Sequence, residues 1–137
     1  MGRYSWKVTD PNEAVRALSA ALRELHRVLV RIEQQAYQTQ RGSFAKPAGL
    51  LELLIHDPHF AWLRGISETI VVLDELVADP DVDPDAVASQ ARTAVERLFG
   101  KAGTGGTPEP RLVELIQQEP TVAIAFSTVN ARVNDLG

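Results

Sequence analysis

The side chains in this sequence best suited to chemistry near neutral pH are its three histidines, because imidazole titrates in that range and is a common metal ligand. His56 and His59 flank Asp57-Pro58 and stand three residues apart, close together on one face if a helix runs through them. His26 lies midway along an earlier helix, with Glu33 two turns later on the same flank. In an antiparallel hairpin the end of one helix meets the start of the next, which brings Glu33 towards His56 and His59. Two imidazoles and a carboxylate could hold a divalent metal. The carboxylate-bridged bundles, however, repeat a Glu-x-x-His pair on two helices, and no such pair occurs here. The commoner role for such histidines is to cap or hydrogen-bond at a helix kink, and on that reading no cofactor is expected.

Other candidates for chemistry are weaker. Adjacent residues such as Asp74 and Glu75 do not face each other on a helix, so solvated acid is the simpler reading. The aspartates from Asp79 to Asp85 alternate with prolines and read as turn and cap residues. Ser67, Ser127 and Thr128 lack an obvious catalytic base beside them in the sequence. KAGTGGTP, from Lys101, lacks the Gly-Lys-Ser/Thr ending of a phosphate-binding loop. Phe60, Trp62 and Arg64, with Trp6 near the start of the chain, are candidates for a partner or ligand surface; core packing is the competing role for the aromatics.

The element that must position these residues is the stretch Leu50 to Val77. Leu63, Ile66, Ile70, Leu73 and Val77 step by three and four, as a buried helix face requires, and the same stripe read backwards reaches His59 and His56. Asp57 can cap orphan amides and Pro58 suits a first helical position, so the helix is expected to kink or restart there.

Upstream, Tyr4, Trp6 and Val8 alternate with polar residues, and residues 1–9 read as an extended arm. Asp10-Pro11 opens a long helix striped by Val15, Leu18, Leu22, Leu25, Leu29, Ile32 and Ala36, with Arg16, Arg23, Arg27 and Arg31 off the stripe. Gln38 to Gly49 reads as a connection. Downstream, Asp83-Pro84 repeats the cap-and-proline start of a helix lined by Val87, Ala91, Val95 and Leu98, which Gly100 can end. A fourth helix is expected from Thr107-Pro108, interrupted at Glu119-Pro120 and resumed with Val122, Phe126, Val129, Val133 and Leu136.

These elements predict an all-α, up-and-down four-helix bundle with proline-kinked second and fourth helices, a single domain over residues 1–137. Zero cysteines exclude disulfides and thiolate chemistry. No run of about 18 uncharged apolar residues exists and no signal-peptide core precedes the arm, so a cytoplasmic protein with no membrane partner is expected. A net charge of −4 argues against nucleic-acid binding. The charge is uneven: nine Lys or Arg against six Asp or Glu through Arg64, and five against twelve beyond it. Ordinary solvated helix faces give such a split, and so does a dipolar surface that steers a partner or a second copy.

The second helix has an echo in the fourth. LLELLIHDPHFAW from Leu50 aligns with LVELIQQEPTVAI from Leu112, keeping Glu52, Leu53, Pro58 and Ala61 as Glu114, Leu115, Pro120 and Ala123. His56 and His59 become Gln118 and Thr121, which separates the bend from the imidazoles. A duplicated hairpin is one origin, and convergent helix-start chemistry the other. HDPHFAWLR with the following ISETIVVLDELV resembles a group of small, all-helical bacterial proteins that share a His-Asp-Pro-x-Phe-Ala-Trp-Leu-Arg signature, with Gly65 departing from their pattern. The resemblance implies a helical fold and the bacterial cytosol, and brings no activity or cofactor. The functional expectation is a non-enzymatic interaction or regulatory protein, a homodimer or the binder of a protein partner. A metal- or small-ligand-binding bundle built on His56, His59 and Glu33 is the alternative.

Overall fold

Asp10 opens the first helix as its type and position demand: its Oδ1 accepts from the Asn12 amide at 3.0 Å, ahead of Pro11. The computed structural model describes residues 10–41, 58–100 and 109–136. The extended arm expected over residues 1–9 lies outside them, as does the first half of the echo up to Asp57. Every regular element among the described residues is helical.

Helix α1, Pro11–Arg41, runs 31 residues, about 46 Å at 1.5 Å per residue. It passes through Gln38, where the sequence predicts a connection. No residue before Gly42 breaks a helix there, and the Thr39 hydroxyl donates back to the Gln35 carbonyl at 2.9 Å. Val15, Leu18, Leu22, Leu25 and Leu29 are fully buried as expected; beyond them the inward position belongs to Glu33 rather than to Ile32, which is only partly buried.

Helix α2, Pro58–Ala61, begins at the expected proline, and α3, Arg64–Ala78, follows after a turn at Trp62 and Leu63. The sequence predicts one continuous stretch here. Instead the Leu63 amide bonds to the Phe60 carbonyl at 3.0 Å and the Ile66 amide to Leu63 at 3.1 Å, three residues back rather than four. In that tighter winding residues three apart eclipse. Phe60, Leu63 and Ile66 therefore all point into the core, where an unbroken α-helix would carry them progressively round its axis.

Helix α4, Pro84–Phe99, is capped by Asp83, whose Oδ1 accepts from the Asp85 amide, and stopped by Gly100 at φ 78°, a left-handed conformation that glycine adopts without a Cβ clash. Helix α5, Pro110–Gln118, starts at the second of two nearby prolines rather than at Pro108. A residue before proline is pushed to extended geometry, and Glu109 adopts it (φ −72°, ψ 122°), so no helix can pass through it. The same rule holds Glu119 extended (φ −119°, ψ 108°) and makes it both the end of α5 and the start of α6, Pro120–Asn134.

α1 is the hub, packing against α2, α3, α4 and α6. Trp62 meets α1 at Glu33 and Asp74 meets it at Ser19, so α3 runs antiparallel to α1. Gly65 lies beside Leu98, at the opposite ends of α3 and α4, and Arg92 and Phe99 meet Val133 and Phe126. Hence α4 is antiparallel to both α3 and α6, and α6 runs antiparallel to α1.

Candidate functional site

Glu33 occupies the core stripe because it follows Leu22, Leu25 and Leu29 at steps of three and four. Its carboxylate is 1% exposed. A dry, unpaired carboxylate is prohibitively unfavourable, and the structure answers with donors from two distant segments. Arg111, in the first turn of α5, donates from Nε at 3.0 Å and Nη2 at 2.7 Å, both to Oε1. Trp62, in the turn between α2 and α3, donates its indole Nε1–H to Oε2 at 3.1 Å. Arg111 Nη1 also pairs with Glu114 one turn along α5. The hydrogen bond to Glu33 raises the Arg111 pKa further above its usual range; burial opposes this, and the charges of Glu33 and Glu114 reinforce it.

This arrangement bears directly on the expected metal set. Both Glu33 oxygens accept hydrogen bonds, so a metal at this carboxylate would share it with Arg111 and Trp62. Among the described residues no three His, Cys, Asp or Glu side chains gather in a way that could hold a metal. His56 and the side chain of His59 lie outside those residues. His26 is partly buried, and that burial lowers its pKa from the ordinary 6.5.

The four residues expected at a partner or ligand surface divide. Phe60 is a correction: it is fully buried, its ring 5.6 Å from that of Tyr37, and presents nothing at the surface. Trp62 lays a partly buried ring against the core and turns its N–H to Glu33. Arg64 is exposed, and Trp6 lies outside the described residues.

Two contributors escaped the sequence reading. Arg111 drew no attention, although a glutamate in core register demands a cation and Arg111 is the basic residue of α5. Asp74, read as solvated acid, is a cross-link: it accepts from the buried Ser19 hydroxyl at 2.8 Å and pairs with Arg23.

A second feature lies on the far flank of α1. A groove of about 470 Å³ runs between α1 and α6, with Val28 and Ile32 on one wall and Ile124 on the other. Ile124 is 68% exposed, more than any other large apolar residue described. The arginines placed off the stripe are all exposed, and two of them have partners within the chain: Arg23 pairs with Asp74 and Arg27 with Glu24. The hydrogen bond from Arg27 holds the Glu24 carboxyl below its usual range. Arg31 on the α1 wall and Glu119 on the α6 wall make no ion pair among the described residues. A groove of about 440 Å³ between α4 and α6 differs, since its Arg92 is already held by the Val133 carbonyl and Glu96.

No protein-family model, curated protein or solved structure matches the chain.

Proposed function

We propose that the protein is a non-enzymatic, cytoplasmic helical interaction protein, an up-and-down four-helix bundle with proline-kinked second and fourth helices that associates with itself. The observation that carries this reading is Ile124. α6 buries Val122, Ala125, Val129 and Val133 on one face, yet leaves a large branched aliphatic side chain 68% exposed on another, at the edge of a groove with further apolar residues in its wall. An exposed aliphatic side chain at the rim of a groove with apolar walls is surface that a partner would cover. The antiparallel courses of α1, α3, α4 and α6 support the bundle, and zero cysteines suit a reducing compartment. Among the described residues no helix is long and apolar enough to cross a membrane.

The rival reading, a divalent metal on His56, His59 and Glu33, is the less favoured because the Glu33 carboxylate already has its charge matched by Arg111. Sedimentation velocity over a wide range of protein concentration tests the proposal. Reversible, concentration-dependent dimerisation is expected. A single monomeric species at the highest concentrations would overturn the reading.

A further inference from the structure

We infer that the groove between α1 and α6 is the surface on which a second copy of the chain docks, face to face, about a two-fold axis that runs along the groove. The inference rests on the self-association proposed above and adds where it occurs and how the copies are aligned.

Charge complementarity selects the occupant. Glu24 is paired with Arg27 within the α1 wall and feels the charge of Arg31 at longer range; Arg31 on that wall and Glu119 on the opposite one make no ion pair among the described residues. Because α6 runs antiparallel to α1, the start of α6 lies towards the late end of α1, so Arg31 and Glu119 sit at the same end of the groove. Rotation about an axis along the groove lays α1 of one copy over α6 of the other at the same height. Arg31 of each copy then meets Glu119 of the other, and symmetry makes the contact twice. A partner with a single uniform charge would satisfy one wall and repel the other. Ile124 of each copy packs near Val28 and Ile32 of its mate, covering the apolar surface that each chain alone leaves in water.

The dimensions set the strength. The α1 wall from Glu24 to Gln35 is about 17 Å long at 1.5 Å per residue, and two helices side by side are roughly 20 Å wide. The area is below that of a standard stable interface, so the dimer is weak and reversible.

Exchange of charge between copies tests the alignment. Arg31→Glu and Glu119→Arg each place like charges at both symmetry-related contacts, and each is expected to weaken dimerisation by at least about tenfold. Mixed in equal amounts, the two variants should recover assembly as hetero-pairs, because each mixed pair carries two opposite-charge contacts, one of reversed polarity. Ile124→Asp should weaken the dimer without loss of fold, since the site is exposed; the Glu119 side chain makes no capping hydrogen bond, so its replacement leaves the start of α6 intact. Thermal melting by circular dichroism checks that each variant is folded. A wild-type dimer indifferent to all three substitutions, or single variants that fail to recover on mixing, would overturn this alignment and leave self-association standing elsewhere on the surface. A monomeric wild type would overturn both.

Discussion

Among the described residues, α1 is fastened to the rest of the molecule by two polar links, each an arginine and a second donor on one carboxylate, and they differ in where the carboxylate sits. Near its start, Ser19 and Arg23 hold Asp74 of α3, and both charged side chains are largely in water, Asp74 at 44% and Arg23 at 57% exposed. Towards its end, Arg111 and Trp62 hold Glu33, which is 1% exposed. In the first link the charges keep most of their hydration whether or not they meet, so the pair adds little. In the second, water is excluded and the carboxylate depends wholly on its partners. An ion pair of that kind is a weak source of stability against an apolar replacement and a severe liability when half of it is removed.

The largest effect should therefore come from Arg111→Ala. It strands the Glu33 carboxylate and is expected to cost about 3–5 kcal/mol in equilibrium urea unfolding, whereas Glu33→Leu combined with Arg111→Met should come close to wild type. A double variant as unstable as Arg111→Ala would mean that the pair itself, and not the orphaned charge, dominates. Glu33→Gln should cost less, about 1–3 kcal/mol, because Arg111 is 29% exposed and keeps water and Glu114. Trp62→Phe removes a single donor to a charged acceptor and leaves the ring packing, a loss of about 1.5–3 kcal/mol by the same assay.

Asp74→Ala should cost about 1 kcal/mol or less, and the difference from wild type should shrink in concentrated salt while that of Arg111→Ala persists. Equal salt sensitivity of the two variants would erase the distinction between the links. The smallest effect is a pH dependence. Burial lowers the folded-state pKa of His26 below 6.5, so the unfolded chain binds the extra proton first. The contribution is complete above the unfolded value and declines as pH falls from there through the folded one. His26→Gln should flatten that part of the curve, and an unchanged slope would assign the decline to other groups.

Much of the fold was legible because its signals are local. Asp10-Pro11, Asp83-Pro84 and Gly100 mark helix ends through the geometry of their own residues, and the α1 stripe from Val15 to Leu29 repeats often enough to fix a buried face. Where two local signals compete, the reading slipped. Pro108 and Pro110 are both of a type that opens helices, and only the conformation that proline imposes on Glu109 makes Pro110 the start of α5. Leu63 and Ile66 are three apart, which suits an α-helix and a tighter turn alike, and the break at Trp62 stayed hidden for that reason.

The candidate site was less legible, because its bonds cross between elements. Periodicity continues the buried stripe to Ile32 and sets Glu33 on the flank of His26, near the start of the second helical segment; that Glu33 turns inward, and that an arginine 78 positions away meets it, are features of tertiary packing. For Phe60 and Trp62 the sequence left a surface role and core packing both open, and the turn between α2 and α3 sends one ring into the core and turns the other's N–H to a carboxylate.

The span between Glu33 and Arg111 also orders events in time. As the chain leaves the ribosome, α1, α3 and the α4 that joins them are complete before Arg111 appears. Until it does, the late end of α1 carries a carboxylate that lacks its arginine, and closing that end of the core would bury a charge without its counter-charge. The early segments must therefore wait partly open, with Glu33 wet, and arrival of the last fifth of the chain becomes the step that allows the core to seal. Long-range closure of this kind is slow compared with helix formation. A ribosome-bound chain that stops before α5 is the form in which this protein is most exposed to aggregation and to proteases.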